Sequence, residues 1–293
     1  MSILNAIFQG ILQGITEFLP VSSDGHLTLY QHFTKTSGEG AMLFTLMLHL
    51  GTLIAVFIAY YQLIFELIME FFRMVADIFR GQFSFKKMNP ERRMILMILV
   101  SLLPLAAFYF VKDFFMALSE DGDIIVEGVL FIFTGVMLFL ADHCFKGTKT
   151  AKNMRYSDAL LIGTFQGLAA LPAVSRSGST ISVALLRGYT REYAVAFSFI
   201  MGIPAIIGAN IFEVGDALRQ NAVISWPAVL IGVAVAAVVG FFAIKLIAWM
   251  VKTDRLMVFS YYTITLGVLV IAIGIFENIV GMNFTDYVVS LIG

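Results

Sequence analysis

The segment EFLPVSSDGH, which begins at Glu17, gathers a carboxylate, two hydroxyls and an imidazole in an otherwise apolar region. Gln13 lies four residues before Glu17, so in a helix both side chains point the same way and could hold a divalent cation that bridges to phosphate oxygens. Ser22 and Ser23 could bind phosphate or act as nucleophiles, and a helix N-cap is the alternative for at least one of them. His26 could be a general acid or a nucleophile.

A second polar segment, PAVSRSGST, begins at Pro172 and centres on an arginine. The sequence SRSGST is predicted to open a helix that runs on to Leu186, and the free backbone N–H groups at its start, with the hydroxyls and the guanidinium, would form an anion site that best suits phosphate. The alternatives are a hydroxyl-capped loop, or an ion pair between Glu17 and Arg176 that only joins the two segments. The residues of this predicted phosphate site are Ser175, Arg176, Ser177, Gly178 and Thr180.

The elements that position these residues must lie in a membrane. The chain of 293 residues is 59% hydrophobic and 13% charged, with a mean hydropathy of +0.90, whereas about a quarter of a soluble domain is charged. Stretches of about 17–25 apolar residues are long enough to cross the hydrocarbon core. No basic groove or stacking platform suggests nucleic acid as a partner. We predict six transmembrane helices, near residues 42–61, 94–111, 124–141, 193–212, 227–250 and 257–276.

The distribution of basic residues predicts the orientation of these spans. Most lysines and arginines fall in four connecting segments, and few fall in two others. Because basic loops stay on the cytoplasmic side, the four are expected inside and the two outside. The part 63–80 mixes charges with Phe, Leu and Ile, and is interpreted as an interfacial or cytoplasmic extension of the first span. The inside segments are 62–93, 142–158, 187–192 and 251–256, and the outside segments are 112–123 and 213–226.

The two halves of the chain resemble each other. QGITEFLPVSSDGHL starts at Gln13 and QGLAALPAVSRSGST starts at Gln166, and at the same spacing Phe44 aligns with Phe197. A spacing that recurs in separate segments indicates an internal duplication. Three spans separate the copies, and three is odd, so the copies are predicted to have opposite orientations, as in many transporter-like folds.

Each copy contains a break that a simple spanning helix would not tolerate. Pro20 and Pro172 interrupt apolar runs and are followed by serine and glycine, and backbone groups freed at membrane depth need protein or a watery cavity to satisfy them. We therefore predict two re-entrant helix–turn–helix hairpins whose tips meet near the middle. The predicted fold is an all-α polytopic membrane protein, one domain over residues 1–293, with six transmembrane helices, two re-entrant hairpins and an inverted-topology repeat of about residues 1–150 and about residues 155–293.

The two polar segments are similar to motifs of the undecaprenyl-pyrophosphate phosphatases, the bacitracin-resistance family, and the resemblance covers essentially the whole chain. In that family Glu or Gln stands four residues before Glu, followed by F-L-P-(I/V)-S-S-x-G-H and later by P-G-x-S-R-S-G-x-T. Here these motifs read QGITEFLPVSSDGH and PAVSRSGST. Gln13 stands where many members have a first glutamate, and Ala173 replaces the motif glycine.

The resemblance implies hydrolysis of undecaprenyl pyrophosphate to undecaprenyl phosphate and inorganic phosphate, which recycles the carrier lipid for cell-wall synthesis. It implies a divalent cation, Mg²⁺ or Ca²⁺, as cofactor. It also implies a multi-pass protein of the bacterial plasma membrane whose active site faces the outer side. The expected partners are the lipid substrate and membrane lipid, and a homodimer is left open beside a monomer.

The same resemblance implies roles for individual residues. Glu17 would hold the metal or activate the attacking group, with Gln13 assisting. Ser23 is the candidate nucleophile, His26 is the competing one or else the proton donor and acceptor, and direct attack by water stays open. The residues expected to hold the phosphates are Ser22, Ser175, Arg176, Ser177, Gly178 and Thr180.

A transporter or flippase of a polyprenyl phosphate lipid is the alternative function, since inverted repeats with broken helices are typical of alternating access. The hydroxyl, imidazole and carboxylate beside an arginine favour an enzyme, because passage of an anion does not require all of them. Two further polar residues receive structural interpretations: His49, inside the first span, as a hydrogen-bonded packing residue, and Asp24 as part of an Asx turn.

Overall fold

The computed structural model describes residues 2–35, 41–85, 88–110, 123–219 and 225–292, and within these ranges the chain is helical. The described part contains 12 α-helices, one short 3₁₀ helix and no strand beyond an isolated bridge. The predicted all-α class is therefore confirmed. The helices are α1 (Ile3–Phe18), α2 (Ser23–Thr34), α3 (Ala41–Ala59), α4 (Tyr61–Phe79), α5 (Pro90–Tyr109), α6 (Ile125–Asp142), α7 (Tyr156–Leu168), α8 (Arg176–Leu186), α9 (Arg191–Arg219), α10 (Trp226–Lys252), α11 (Met257–Val280) and α12 (Phe284–Ile292), and the 3₁₀ helix is Ala151–Asn153.

Four helices in the described part are long and apolar enough to cross a membrane, namely α6, α9 over Arg191–Ile211, α10 and α11. The pair α3 and α4 adds a fifth candidate if it counts as one span, although the two helices are bent by 87°. This protein is therefore a multi-pass membrane protein with four or five candidate spans. Helix α5 covers the predicted span 94–111 as far as Tyr109 but is not among these candidates.

One predicted boundary differs from the structure. Segment 63–80 is largely a helix of its own, α4, because the chain turns sharply after Ala59. Helix α9 runs on to Arg219, and its membrane-crossing part, Arg191–Ile211, agrees with the fourth predicted span at 193–212. The predicted outside loop 112–123 lies outside the described residues except for its last position.

Helices α1 and α2 form one helix–turn–helix unit, and α7 and α8 form another. At the start of α2, the side-chain oxygen of Ser22 accepts a hydrogen bond from the N–H of Gly25 at 3.3 Å. At the start of α8, Ser175 accepts one from the N–H of Gly178 at 3.0 Å. In both units a serine three residues before a glycine satisfies a backbone donor that the first helical turn leaves free. We call these units the first and second hairpins.

Small residues hold the first helix of each hairpin close to a neighbouring helix. A Cβ on Gly10 in α1 would lie 2.7 Å from the carbonyl oxygen of Gly232 in α10. A Cβ on Gly163 in α7 would lie 2.0 Å from the carbonyl oxygen of Ser101 in α5. Each of the two hairpin glycines is followed four residues later by another glycine, the spacing that lets membrane helices approach closely.

Apolar packing fixes the two hairpins in the body of the protein. Phe18, at the end of α1, is fully buried and meets Phe199 of α9 edge-on, with ring centroids 5.3 Å apart. Ile181 of α8 belongs to the same buried cluster. Both hairpins are thus anchored in one buried apolar cluster.

Candidate active site

The carboxylate of Glu17 is the centre of the polar cluster between the hairpins. Its side chain is only 4% exposed. Oε1 accepts a hydrogen bond from Nη2 of Arg176 at 2.6 Å, and Oε2 accepts from Oγ of Ser23 at 2.7 Å and from Nε2 of Gln13 at 2.9 Å. Residues from α1, α2 and α8 therefore converge on one buried anion.

Arg176 is the first residue of α8 and reaches across to the first hairpin. Its Nη2 donates to Glu17, whereas its Nη1 is buried and has no hydrogen-bond partner among the described residues. A Cβ on Gly202 in α9 would lie 2.1 Å from Nη1, so this glycine leaves room for the guanidinium. A buried charged donor without an acceptor is costly, and an anion that enters the site would satisfy it.

The hydroxyls of the second hairpin lie at the start of α8. Oγ of Ser175, which caps this helix at Gly178, is 3.3 Å from Oγ of Ser177, and Ser177 donates to the carbonyl oxygen of Leu19 at 3.4 Å. Of the predicted phosphate-binding residues, Ser175, Ser177 and Gly178 are therefore grouped at one helix N-terminus, where Ser177 touches the turn of the first hairpin. Ser22 lies instead at the start of α2 in the first hairpin.

Thr180 lies one turn further along α8. Its Oγ1 donates to the carbonyl oxygen of Arg176 at 2.8 Å and lies 2.6 Å from Oγ of Ser198 in α9. In this structure Thr180 ties α8 to α9 behind the guanidinium.

The tips of the two hairpins are in direct contact. A Cβ on Gly25 would lie 2.8 Å from Cα of Ala173 and 2.6 Å from Cζ of Phe131. Ala173 has a φ of 64° and Ser22 a φ of 72°, in the left-handed region that non-glycine residues rarely adopt. Ala173 thus takes the conformation for which the related motif uses glycine, and the turns of both hairpins carry backbone strain.

His26 lies in α2, and its ring nitrogens point to Ser22 and Tyr262. Nδ1 is 2.7 Å from the carbonyl oxygen of Ser22, and Nε2 is 2.7 Å from the hydroxyl of Tyr262. The ring stacks on Tyr262 with centroids 5.7 Å apart and meets Phe131 edge-on. Tyr262 belongs to α11, and no motif in the sequence pointed to it.

His49 of α3 lies closer to the cluster than its interpretation as a packing residue allows. Nδ1 is 3.0 Å from the carbonyl oxygen of Thr45, which fits packing, but Nε2 is 3.5 Å from both Oε2 of Glu17 and Oδ1 of Asp24. The interpretation was incomplete, because the imidazole also faces two carboxylates. An ionisable residue inside an apolar span is a functional candidate by default, and this signal would have found His49.

The buried side-chain oxygen of Gln13, the neighbour of Glu17 on α1, is a possible ligand for a cation. Oε1 of Gln13 has no hydrogen-bond partner within the described ranges, and the amide nitrogen of the same side chain already contacts Glu17. The described residues include no group of three or more His, Cys, Asp or Glu placed to hold a metal. Mg²⁺ is commonly held by one or two carboxylates together with substrate phosphates. Glu17 and Gln13 therefore fit a cation shared with a phosphate ligand.

Comparison with known proteins places this site in a family. The family described as "Bacitracin resistance protein BacA" matches residues 6–269. The chain is 40% identical to an undecaprenyl-diphosphatase of Alkaliphilus metalliredigens over 92% of this chain and 98% of that protein. It is 36% identical to an undecaprenyl-diphosphatase of Halothermothrix orenii, over 94% and 100% of the two chains. It is 38% identical to undecaprenyl-diphosphatase 4 of Bacillus thuringiensis, over 93% and 98%. The chain thus belongs to the bacitracin resistance protein BacA family.

Proposed function

We propose that this protein is an undecaprenyl-diphosphatase, which hydrolyses undecaprenyl pyrophosphate to undecaprenyl phosphate and inorganic phosphate and so recycles the carrier lipid for cell-wall synthesis. The observation that carries the proposal is the convergence of Ser23 and Arg176 on Glu17 where the hairpins meet. The hydroxyl of Ser23, the carboxylate base of Glu17 and the guanidinium of Arg176, with its buried Nη1 donor, are the kinds of group that phosphoryl transfer uses. The names of the relatives support this function over a flippase.

We assign the attack on the terminal phosphorus to Ser23. Its Oγ donates to Oε2 of Glu17 at 2.7 Å, within the distance that a nucleophile and its general base require. As the bond from Oγ to phosphorus forms, the Oγ proton passes to Glu17. The bond from phosphorus to the bridging oxygen breaks, and undecaprenyl phosphate leaves with that proton.

Water completes the reaction at the phosphorylated serine. The water oxygen attacks phosphorus and the bond from phosphorus to Oγ of Ser23 breaks. One proton of the water passes to Glu17 and on to Oγ, which restores the serine, and inorganic phosphate is released. His26 is less suited to attack, because its two ring nitrogens are engaged by Ser22 and Tyr262. It is better suited to moving a proton.

Arg176 holds the terminal phosphate in this scheme. The buried Nη1 without a partner supports this role, because a planar guanidinium can grip two phosphate oxygens at once. Ser175, Ser177 and Gly178 place the N-terminal end of α8 beside the same anion. In this structure the N–H groups of Ser175 and Gly178 donate to Oγ1 of Thr134 and to Oγ of Ser175, and a bound phosphate would compete for them. Gln13 and Glu17 would hold Mg²⁺ or Ca²⁺, and the bound cation would neutralise charge on the phosphate oxygens.

The proposed architecture has six transmembrane helices, two re-entrant hairpins and an inverted-topology repeat. The packing of α1 on α10 and of α7 on α5 supports the repeat, because each hairpin begins with a glycine-rich helix that packs on a helix of the other half.

The basic loops support a site that faces the outer side of the bacterial plasma membrane. Labelling of Lys35 but not Lys149 by an impermeant amine reagent in intact cells is expected. A homodimer would have twice the monomer protein mass when the mass in detergent is measured by light scattering.

Phosphate release tests the function directly. Purified protein in detergent with Mg²⁺ is expected to release inorganic phosphate from a polyprenyl pyrophosphate, and Arg176→Ala and Glu17→Ala are expected to lose this activity. Unchanged turnover in either folded variant would refute the assignment. Movement of polyprenyl phosphate across liposomes without any phosphate release from the pyrophosphate would favour the flippase.

A further inference from the structure

The contact between His26 and Tyr262 connects the first hairpin to a helix near the other end of the chain. His26 is in α2 and Tyr262 is in α11, 236 positions later. Ser23 and His26 are three residues apart in α2, so their side chains are neighbours on the helix surface. The orientation of the His26 ring therefore shapes the site beside the proposed nucleophile.

Hydrogen bonds determine which nitrogen of His26 carries the hydrogen. Nδ1 lies 2.7 Å from the backbone carbonyl of Ser22, which can only accept, so Nδ1 must be the donor. In the neutral ring Nε2 then has a lone pair, and the hydroxyl of Tyr262 at 2.7 Å can donate to it. A hydroxyl both donates and accepts, so Tyr262 can also accept from Nε2–H when the ring is protonated.

Aromatic contacts fix the plane of the same ring. The rings of His26 and Tyr262 are nearly parallel, at 9°, and Phe131 meets the imidazole at 84° with centroids 5.3 Å apart. Tyr262 thus holds the imidazole through its ring face and through its hydroxyl. These two contacts can be separated experimentally.

We propose that Tyr262 is a positioning residue of the phosphatase reaction and acts through His26. This inference rests on the proposed function. The hydroxyl of Tyr262 keeps Nε2 in place in both protonation states of the ring, so the imidazole keeps one orientation beside Ser23 throughout the reaction.

Tyr262→Phe removes the hydroxyl and keeps the aromatic ring, and Tyr261→Phe is its matched control. Tyr261 precedes it in α11 and is 62% exposed. In the phosphate-release assay, Tyr262→Phe is expected to lower kcat by about tenfold, the effect of losing one hydrogen bond that positions a group in the reaction. KM is expected to change by less than about twofold. Tyr261→Phe is expected to match the wild type in kcat, KM and melting temperature.

A double-mutant cycle tests whether Tyr262 acts through His26. In a His26→Asn background, Tyr262→Phe is expected to cause no further loss of kcat. An equal loss in both backgrounds, or an unchanged kcat in Tyr262→Phe alone, would overturn the proposal. If Tyr262→Phe lowers the melting temperature, Tyr262→His restores a hydrogen-bonding ring and is expected to recover part of kcat; no recovery would show a purely structural role. A wild type that releases no phosphate would overturn the proposed function together with this inference.

Discussion

Glu17 and Arg176 form an ion pair of 2.6 Å across 159 positions of sequence, and each residue belongs to a different hairpin. The pair combines two interpretations that the sequence left open. It joins the hairpins, and it leaves one buried guanidinium nitrogen without an acceptor. The contact that holds the two turns together is therefore also the one that a phosphate would enter.

Loss of Arg176 is expected to reduce both stability and activity. In Arg176→Ala, Glu17 stays buried without its cation, and breaking a buried pair costs about 3–5 kcal/mol. Phosphate release is expected to fall by about a thousandfold or more, as when a phosphate-binding arginine is removed. Chemical denaturation and the phosphate assay measure the two effects. The double variant Glu17→Gln, Arg176→Met is expected to regain most of the stability and none of the activity; recovered activity would contradict the assigned roles.

Replacement of the proposed nucleophile is expected to stop the reaction without unfolding the protein. Ser23→Ala removes the hydroxyl that donates to Glu17 and should lower kcat by about a thousandfold or more. Ser182→Ala is the control, because Ser182 is a buried serine of α8 whose hydroxyl has no partner among the described residues. Mass spectrometry of acid-quenched wild type should find phosphate on Ser23. Turnover that persists in Ser23→Ala, without any adduct in the wild type, would indicate attack by water.

A carboxylate at position 13 is expected to strengthen cation binding. Gln13→Glu adds a second negatively charged ligand beside Glu17 and should lower the Mg²⁺ concentration for half-maximal activity by about tenfold, or about 1.4 kcal/mol. EDTA should abolish phosphate release in both proteins. Gln9→Glu, one turn earlier on α1, is expected to leave the Mg²⁺ dependence unchanged. The rise in melting temperature that Ca²⁺ causes in each protein measures cation binding independently of turnover. An equal rise in Gln13→Glu and in the wild type would contradict the assignment of residue 13 as a ligand.

Enlarging Gly25 is expected to push the hairpin tips apart. In Gly25→Ala the new methyl group would meet Cα of Ala173 and the ring of Phe131, and such overpacking costs about 1–3 kcal/mol. Both melting temperature and kcat should fall, because Glu17 and Arg176 depend on the same contact. Gly208→Ala in α9, where nothing lies within 4 Å of the added atom, should preserve both. A Gly25→Ala protein with wild-type kcat would show that contact between the tips is dispensable.

Asp254 gives a pH-dependent contribution to stability outside the membrane-spanning helices. The hydrogen bond from Lys146 at 2.6 Å, with Arg191 nearby, lowers the pKa of Asp254 below its usual value. Because the folded pKa is the lower one, this contribution is fully present above the ordinary pKa of aspartate, about 3.9, and is lost as the pH falls through the folded value. Asp254→Asn should be less stable by roughly 0.5 kcal/mol at pH 7, since the pair is partly exposed and screened.

Thermal unfolding of the wild type and of Asp254→Asn at several pH values checks the sign of this effect on stability. The difference between wild type and Asp254→Asn should shrink as the pH falls below about 4. Asparagine tolerates the left-handed backbone of this position as aspartate does, so the substitution adds no strain. A difference that grows in acid would contradict the pKa direction.

Local sequence predicted the parts of the site that depend on local structure. A helix was predicted to open within SRSGST, a helix N-cap was one alternative for Ser22 or Ser23, and the four-residue spacing of Gln13 and Glu17 predicted a shared face, as the structure has them. An ion pair between Arg176 and Glu17 was one of the alternatives that the sequence left open, since a buried charge needs a partner, and the structure contains this pair.

The rest depended on packing between distant helices. His49 reaches Glu17 only because α3 lies beside the first hairpin, and His26 turns to Tyr262 because α11 lies on the other side of α2. The bend between α3 and α4 was missed as well. No proline or glycine marks residues 59–61, and without such a breaker the sequence gives no local reason for a turn of 87°.

The division of the charged pair between two hairpins affects how the protein is made. A nascent chain that has left the ribosome only as far as α7 already carries Ser23 and Glu17 but lacks Arg176, the residue proposed to hold the phosphate. On that assignment hydrolysis begins only once the second half has been inserted and docked, so a truncated translation product is expected to leave the lipid pyrophosphate intact.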